Sequence, residues 1–309
     1  MTTTPRAHRH PHLLERNGEL RALLTALERA TAADGRLILV EGPAGVGKSA
    51  LMAAAAAEAR RRGVRVLWAS GSELERDLPF GAIRQLFEPA LAGRPAEERR
   101  RLLDGAAAPA EWVVDPRGDR DTTLTRAEAG FAVLHGIYWL AASLATDGPL
   151  LIAVDDLHWL DASSLRSLAY LARRIRDLPI ALLATMRPSE PASPAELLDE
   201  LRTVPDALRI APPPLGPAAV AELVRAQITG ADGDLCAAFH EASAGNPLYL
   251  KELLLHAASE GLGAGPESAD AVRSASIPAL AERLSRRIAG VAPEAEAIAT
   301  AMAVLGDGG

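Results

Sequence analysis

A single cysteine, Cys236, rules out any disulfide within the chain and points to a reducing compartment, expected to be the cytoplasm. The first twelve residues are polar and histidine-rich, without the basic stretch and apolar run of a secretory signal. Long hydrophobic runs are missing too: the longest, at 51–57 and 150–154, fall well short of the roughly 18 residues that suggest a membrane span. Neither sign of charge is in large excess. With 33 basic and 40 acidic residues the net charge is −7, which excludes a surface that is a polyanion footprint throughout and leaves only a local patch for nucleic acid. Lysine is the scarcest charged residue, because the basic positions are arginine except at Lys48 and Lys251.

What is present reads as an α/β protein. Leu13, Leu20, Leu23, Leu24 and Leu27 recur at helical spacing among charged residues, so 13–30 is an amphipathic helix. The run 36–40 is too short for a helix, ends at a glycine loop, and is followed by an alanine-rich helix over 49–62 that stops at Gly63. Further buried-strand patterns lie at 64–69, 150–154 and 180–185, with a weaker one at 208–211. Helical patterns separate most of them, which predicts a parallel five-stranded sheet. The 80 or so residues between the second and third strands are too many for a bare loop and carry helical patterns near 80–91 and 124–144, so 71–148 is expected to be a helical insertion in a core of 13–212. Helical patterns over 218–228 and 234–244 and a third through His256 predict a lid at 213–260. The glycine-rich stretch in 261–276 reads as a linker, with a further unit starting at 277–309 and a disordered tail at 1–12.

Gly42-Pro43-Ala44-Gly45-Val46-Gly47-Lys48-Ser49 fits the pattern G-x-x-x-x-G-K-[ST] directly after a strand and at the start of a helix. Glycines permit positive φ and remove side chains, so successive N–H groups can curl around a phosphate at a helix N-terminus. Lys48 would reach the β and γ phosphates of ATP, Ser49 would offer its hydroxyl to Mg2+, and Ala50 continues the helix. One of the chain's two lysines thus falls where this chemistry requires one.

Magnesium also needs a carboxylate at the end of a neighbouring strand, and the apolar run 150–154 ends in Asp155-Asp156. Asp155 would serve magnesium directly or through water. Asp156, projecting to the other side of the strand end, would polarise an attacking water as general base, or else cap the next turn. Arg187 follows the fourth strand and would sit at the same sheet edge, to read the γ phosphate or as a surface arginine. His158 and Trp159 read as a loop histidine and a packing residue, and Lys251 as a solvated helix position.

The stretches LLERNGELRALLTAL (13–27), VEGPAGVGKSAL (40–51), FGAIRQLFEP (80–89), LLIAVDDLHWLDASSLRSLAYLARR (150–174), LLATMRP (182–188) and SAGNPLYLKELL (243–254) together resemble the signal-transducing P-loop ATPases (STAND class, related to AAA+ and origin-recognition ATPases) of LuxR-type, MalT-like bacterial transcriptional regulators. The resemblance implies that Arg16 and Pro247 line the adenine, that Arg187 senses the nucleotide state, and that a winged-helix-like domain begins after Ile277. Those regulators carry a helical-repeat region and a DNA-binding helix-turn-helix beyond this stretch, so no direct DNA binding is expected of residues 1–309. Arg173 and Arg174 are candidates by position for an arginine finger, or simply a solvated helix end.

These readings converge on a switch that binds ATP with Mg2+, hydrolyses it slowly, and answers to an unidentified protein or small-molecule signal, without a membrane partner. The rival readings are an AAA+-like motor that self-associates with ATP, and a scaffold that holds nucleotide without turnover.

Overall fold

The computed structural model describes residues 13–114, 126–187 and 194–274. The expected N-terminal tail, 1–12, and the expected start of a winged-helix-like unit, 277–309, lie outside the described residues.

Helix α1 (Asn17–Thr31) leads into β1 (Arg36–Glu41), the glycine loop and α2 (Lys48–Arg61), followed by β2 (Arg65–Ser70). Between β2 and β3 (Leu150–Asp155) come α3 (Gly81–Ala92), α4 (Ala96–Leu102), α5 (Glu111–Val114) and α6 (Arg126–Thr146). The chain continues through α7 (Ala162–Ala172), β4 (Ile180–Met186), α8 (Ala195–Arg202) and β5 (Leu208–Ile210). The five strands form one sheet in the order β2-β3-β4-β1-β5, with every pairing parallel. This is the parallel α/β sheet that the strand pattern implied.

Parallel strands covered on both faces read as near-continuous apolar runs, and every residue of β3 and β4 is buried. Alternation divides them between two cores. Leu37 and Leu39 of β1, Leu150, Ile152 and Val154 of β3, and Leu182 and Ala184 of β4 pack against the insertion helices, α7 and α8. Ile38, Val40, Leu151, Ala153, Ala181 and Leu183 face α1 and α2. Because the side-chain period is two, a slip of one residue in any of these strands would exchange the two sets.

The chain divides into two compact units, one of residues 1–43 and 48–212, the other of the loop apex Ala44–Gly47 together with residues 213–309. The second unit contains α9 (Pro217–Gln227), α10 (Gly233–Ser243), α11 (Pro247–Ser259) and α12 (Pro266–Ser274). The last of these corrects the sequence reading, in which 261–276 was a linker. Pro266 starts a helix whose Ala269 and Val272, three residues apart, are buried, while Arg273 forms ion pairs with Asp234 and Glu241 of α10. The glycines confine the irregular backbone to the residues before Pro266. No helix among the described residues is long and apolar enough to cross a membrane.

Candidate nucleotide-binding site

Because β1, β3 and β4 are parallel neighbours, their C-terminal ends deliver the candidate residues to one sheet edge. Val40 pairs with Thr185 and Glu41 with Met186, and Gly42 N donates to Met186 O at 3.3 Å, so the glycine loop departs beside the end of β4. Val154 pairs with Ala184, which puts Asp155 level with Thr185.

In the loop, Gly45 and Gly47 have φ of +76° and +101°, the backbone that L side chains rarely adopt. The turn delivers the chain to the start of α2 at Lys48, where the first N–H groups of a helix lack intrahelical acceptors. Lys48 is buried, and its ammonium donates to Gly42 O at 2.9 Å and Pro43 O at 2.8 Å, which fixes the charge against the loop's own backbone. Pro43 and Ser49 are exposed, Val46 is buried, and Ala44 and Ala50 are half-buried.

The acids are organised by a residue the sequence reading passed over. Thr185 is fully buried; its hydroxyl donates to Asp155 Oδ1 and accepts from Asp156 N at 2.9 Å. Asp155 ends β3 and is buried. Asp156 lies beyond the strand, in the left-handed region at φ 53° and ψ 57°, so its direction is set by a turn and not, as expected, by strand alternation. It precedes a short 3-10 turn, Leu157–Trp159, and makes no side-chain capping bond to it. His158 in that turn is buried, with Nε2 3.8 Å from Asp156 Oδ1. Arg187 follows the last residue of β4, at the same edge.

Asp161 ties this edge to the insertion. Its carboxylate caps α7 by accepting from Ser164 N at 2.9 Å and from the Ser164 hydroxyl, and it also accepts from Phe80 N at 2.9 Å and Gly81 N at 3.1 Å at the start of α3. One buried carboxylate therefore serves two helix N-termini, where its negative charge meets the positive ends of both dipoles.

Within the second unit, the loop apex is held by Asn246. Its side chain donates to Ala44 O at 2.9 Å and accepts from Leu248 N at 3.0 Å, while Leu248 N also lies 3.3 Å from Gly45 O. A Cβ on Gly45 would stand 2.4 Å from Leu248 Cβ and 2.6 Å from Asn246 Oδ1. Gly45 is thus required twice, for its φ and for this approach. Pro247 is the first residue of α11, the position at which its missing N–H costs nothing.

The profile of the AAA ATPase domain matches residues 12–184, more than half of the chain. The chain belongs to the AAA ATPase domain family. An uncharacterized protein of Rhizobium meliloti (strain 1021) is 27% identical to this chain over 195 residues, 57% of the chain; the alignment spans 19% of that relative's length. Among solved structures, the Aeropyrum pernix ORC1 protein in complex with DNA aligns at a TM-score of 0.52 with 18% identity, over 91% of this chain and 71% of that one. The Aeropyrum pernix ORC2 protein aligns at 0.52 with 16% identity, over 87% and 69%. At these identities the likeness is one of fold.

The ends of β1, β3 and β4 bring Gly42, Asp155, Asp156 and Arg187 to one strand edge. Arg16 has a different setting: it is buried at the start of α1, with Nη1 3.2 Å from Glu15 O and 3.8 Å from Glu19 Oε1. Three site residues went unread in the sequence. Thr185 is hidden inside an apolar run, and Asp161 and Asn246 act on segments 81 and 202 residues away.

Proposed function

We propose that this AAA ATPase domain is the nucleotide switch of a signal-responsive regulator of the LuxR-type class that its sequence resembles, binding Mg-ATP and hydrolysing it slowly. The residues fit the ligand. Two glycines at positive φ, a helix N-terminus and a backbone-anchored lysine provide a cradle for the phosphates of ATP or ADP, with Lys48 supplying the cation. Ser49 and Asp155 supply a hydroxyl and a carboxylate, the oxygen donors a magnesium ion takes alongside phosphate and water. Asp156 is the candidate general base and Arg187 the candidate γ-phosphate contact; Arg16 and Pro247 are carried into the adenine pocket by resemblance alone.

The observation that carries the switch reading is the bond from Asn246 to Ala44 O. The apex of the phosphate loop is built into the helical unit, so a change in loop geometry between ATP and ADP acts directly on α11. Metal-bound triphosphate supplies the electrophilic phosphorus, and the chain's own residues position water and neutralise charge.

The test is ATP binding and turnover by the purified chain with magnesium, beside Lys48→Ala and Asp156→Asn, with size in solution followed throughout. Lys48→Ala should abolish binding, and Asp156→Asn should keep binding and lose turnover. Rapid turnover with ATP-driven assembly would refute the switch in favour of an oligomeric motor, and unaltered hydrolysis in Asp156→Asn would remove the base assignment.

A further inference from the structure

The sheet edge opposite the phosphate loop holds a cavity of about 630 Å³. It opens where β1 and β5 begin, and four arginines line it: Arg29 from α1, Arg36 from β1, and Arg173 and Arg176 following α7. Two carboxylates, Asp34 and Asp206, accompany them, leaving two positive charges in excess. Val204, Pro205 and Leu208 provide an apolar wall.

The carboxylates use little of the donor capacity present. Asp34 accepts from Arg29 Nε at 2.6 Å and from Arg36 Nη2 at 3.3 Å. Asp206 Oδ2 lies 3.7 Å from Arg176 Nη1, beyond hydrogen-bond reach. Each guanidinium carries five N–H groups. Among the described residues Arg36 makes one side-chain hydrogen bond, and its buried Nε has no hydrogen-bond partner. Arg29 holds the Asp34 carboxyl below its ordinary 3.8, first by that hydrogen bond and further by charge.

The cavity is also built on fixed backbone. Gly35 N donates to Arg176 O at 2.9 Å, and a Cβ on Gly35 would stand 2.1 Å from Ile175 O, 2.6 Å from Leu178 O and 2.8 Å from Ile180 O. No side chain fits there, and the segments carrying Arg36 and Arg176 are held in register.

We propose that this cavity binds a small organic phosphate monoester. Such a group is close to a dianion at neutral pH, matching the excess charge, and its oxygens suit planar guanidinium forks, while the volume and the apolar wall take the organic body. From Leu37 at the cavity to Gly42 the chain advances five residues, about 17 Å of extended strand, so the ligand does not share the phosphate loop.

The experiment is calorimetric titration of the full chain carrying Lys48→Ala, which disables the phosphate loop, with phenyl phosphate, methyl phenyl phosphate and inorganic phosphate. Phenyl phosphate should bind, and the monoanionic methyl phenyl phosphate should bind at least tenfold more weakly. Affinity should fall as the pH is lowered through about 6, where the monoester takes up its second proton. Adding Arg173→Ser with Arg176→Ser, both exposed and so compatible with folding, should weaken phenyl phosphate about tenfold or more. Equal affinity in that variant, equal affinity for the two esters, or no heat with phenyl phosphate would overturn the proposal. Tighter binding of inorganic phosphate than of phenyl phosphate would overturn the assignment of an organic ligand.

Discussion

Replacing Asp161 with alanine tests whether one carboxylate joins the acid-bearing edge to the insertion. Its loss leaves the buried N–H of Ser164 and the partly buried N–H of Phe80 without their acceptor, and leaves that of Gly81 only the carbonyl of Leu78 at 3.1 Å. At about 1–3 kcal/mol for the fully buried donor at Ser164 and less for each of the other two, with the helix caps counted within those figures, the expected loss is about 2–4 kcal/mol. Phe80 sharpens the case, because its φ of 61° is unfavourable for a bulky residue and its N–H is held there by Asp161. For a unit of this size, about 2–4 °C per kcal/mol puts the fall in Tm near 10 °C, read by circular dichroism in thermal melts and checked by urea unfolding. Asp161→Asn keeps one acceptor oxygen and sets an NH2 group against the other donors, so an intermediate loss is expected. Hydrogen exchange should locate the damage at the start of α3 before global unfolding. A loss under about 1 kcal/mol, or unchanged protection at Gly81 and Arg84, would refute the reasoning.

Three further outcomes follow from the same geometry. Thr185→Val removes the hydroxyl that joins Asp155 to the backbone of Asp156, and should slow ATP turnover about tenfold or more with a much smaller effect on ATP affinity, while Thr185→Ser restores the rate; single-turnover kinetics beside equilibrium binding separate the two. Gly45→Ala should abolish ATP binding, since the new methyl meets Leu248 and Asn246, whereas Asn246→Ala should weaken it about fivefold to thirtyfold, as measured by fluorescent-nucleotide titration. Asp34 should titrate below 3.8 by NMR and move back up in Arg29→Gln; because its folded value is depressed, its contribution to stability is present above the unfolded value and is lost as the pH falls through the folded one.

The sheet was legible because strands covered on both faces must be apolar along their whole length, and β1, β3 and β4 are short, unbroken runs of that kind. The loop was legible because the need to cradle phosphate concentrates its glycines, lysine and serine into eight consecutive residues. The order of the strands had no such signature, since it depends on which helices cross which face. Thr185 carries one polar atom inside an apolar run, and nothing in the run distinguishes it from a β-branched packing residue. Asp161 looks like an ordinary helix cap, and its second role exists only because α3 returns to it from far along the chain. Asn246 sits in a Gly-Asn-Pro turn whose local chemistry already accounts for an asparagine. The α12 region misled because glycines before it dominated the composition, while the two apolar residues that seat the helix are three positions apart.

The Thr185 hydroxyl carries one hydrogen, and that hydrogen is already committed to Asp155. Were a nucleotide phosphate oxygen to take it, Asp155 would have to give it up, so the two claims are mutually exclusive. The same oxygen accepts from the backbone of Asp156, so rotating the hydroxyl toward a new acceptor leaves that anchor in place. Wholly buried and with its one hydrogen spent, the Thr185 hydroxyl is a fixed link between the two acids, and the position of Asp155 is set by the same atom that sets the backbone of Asp156.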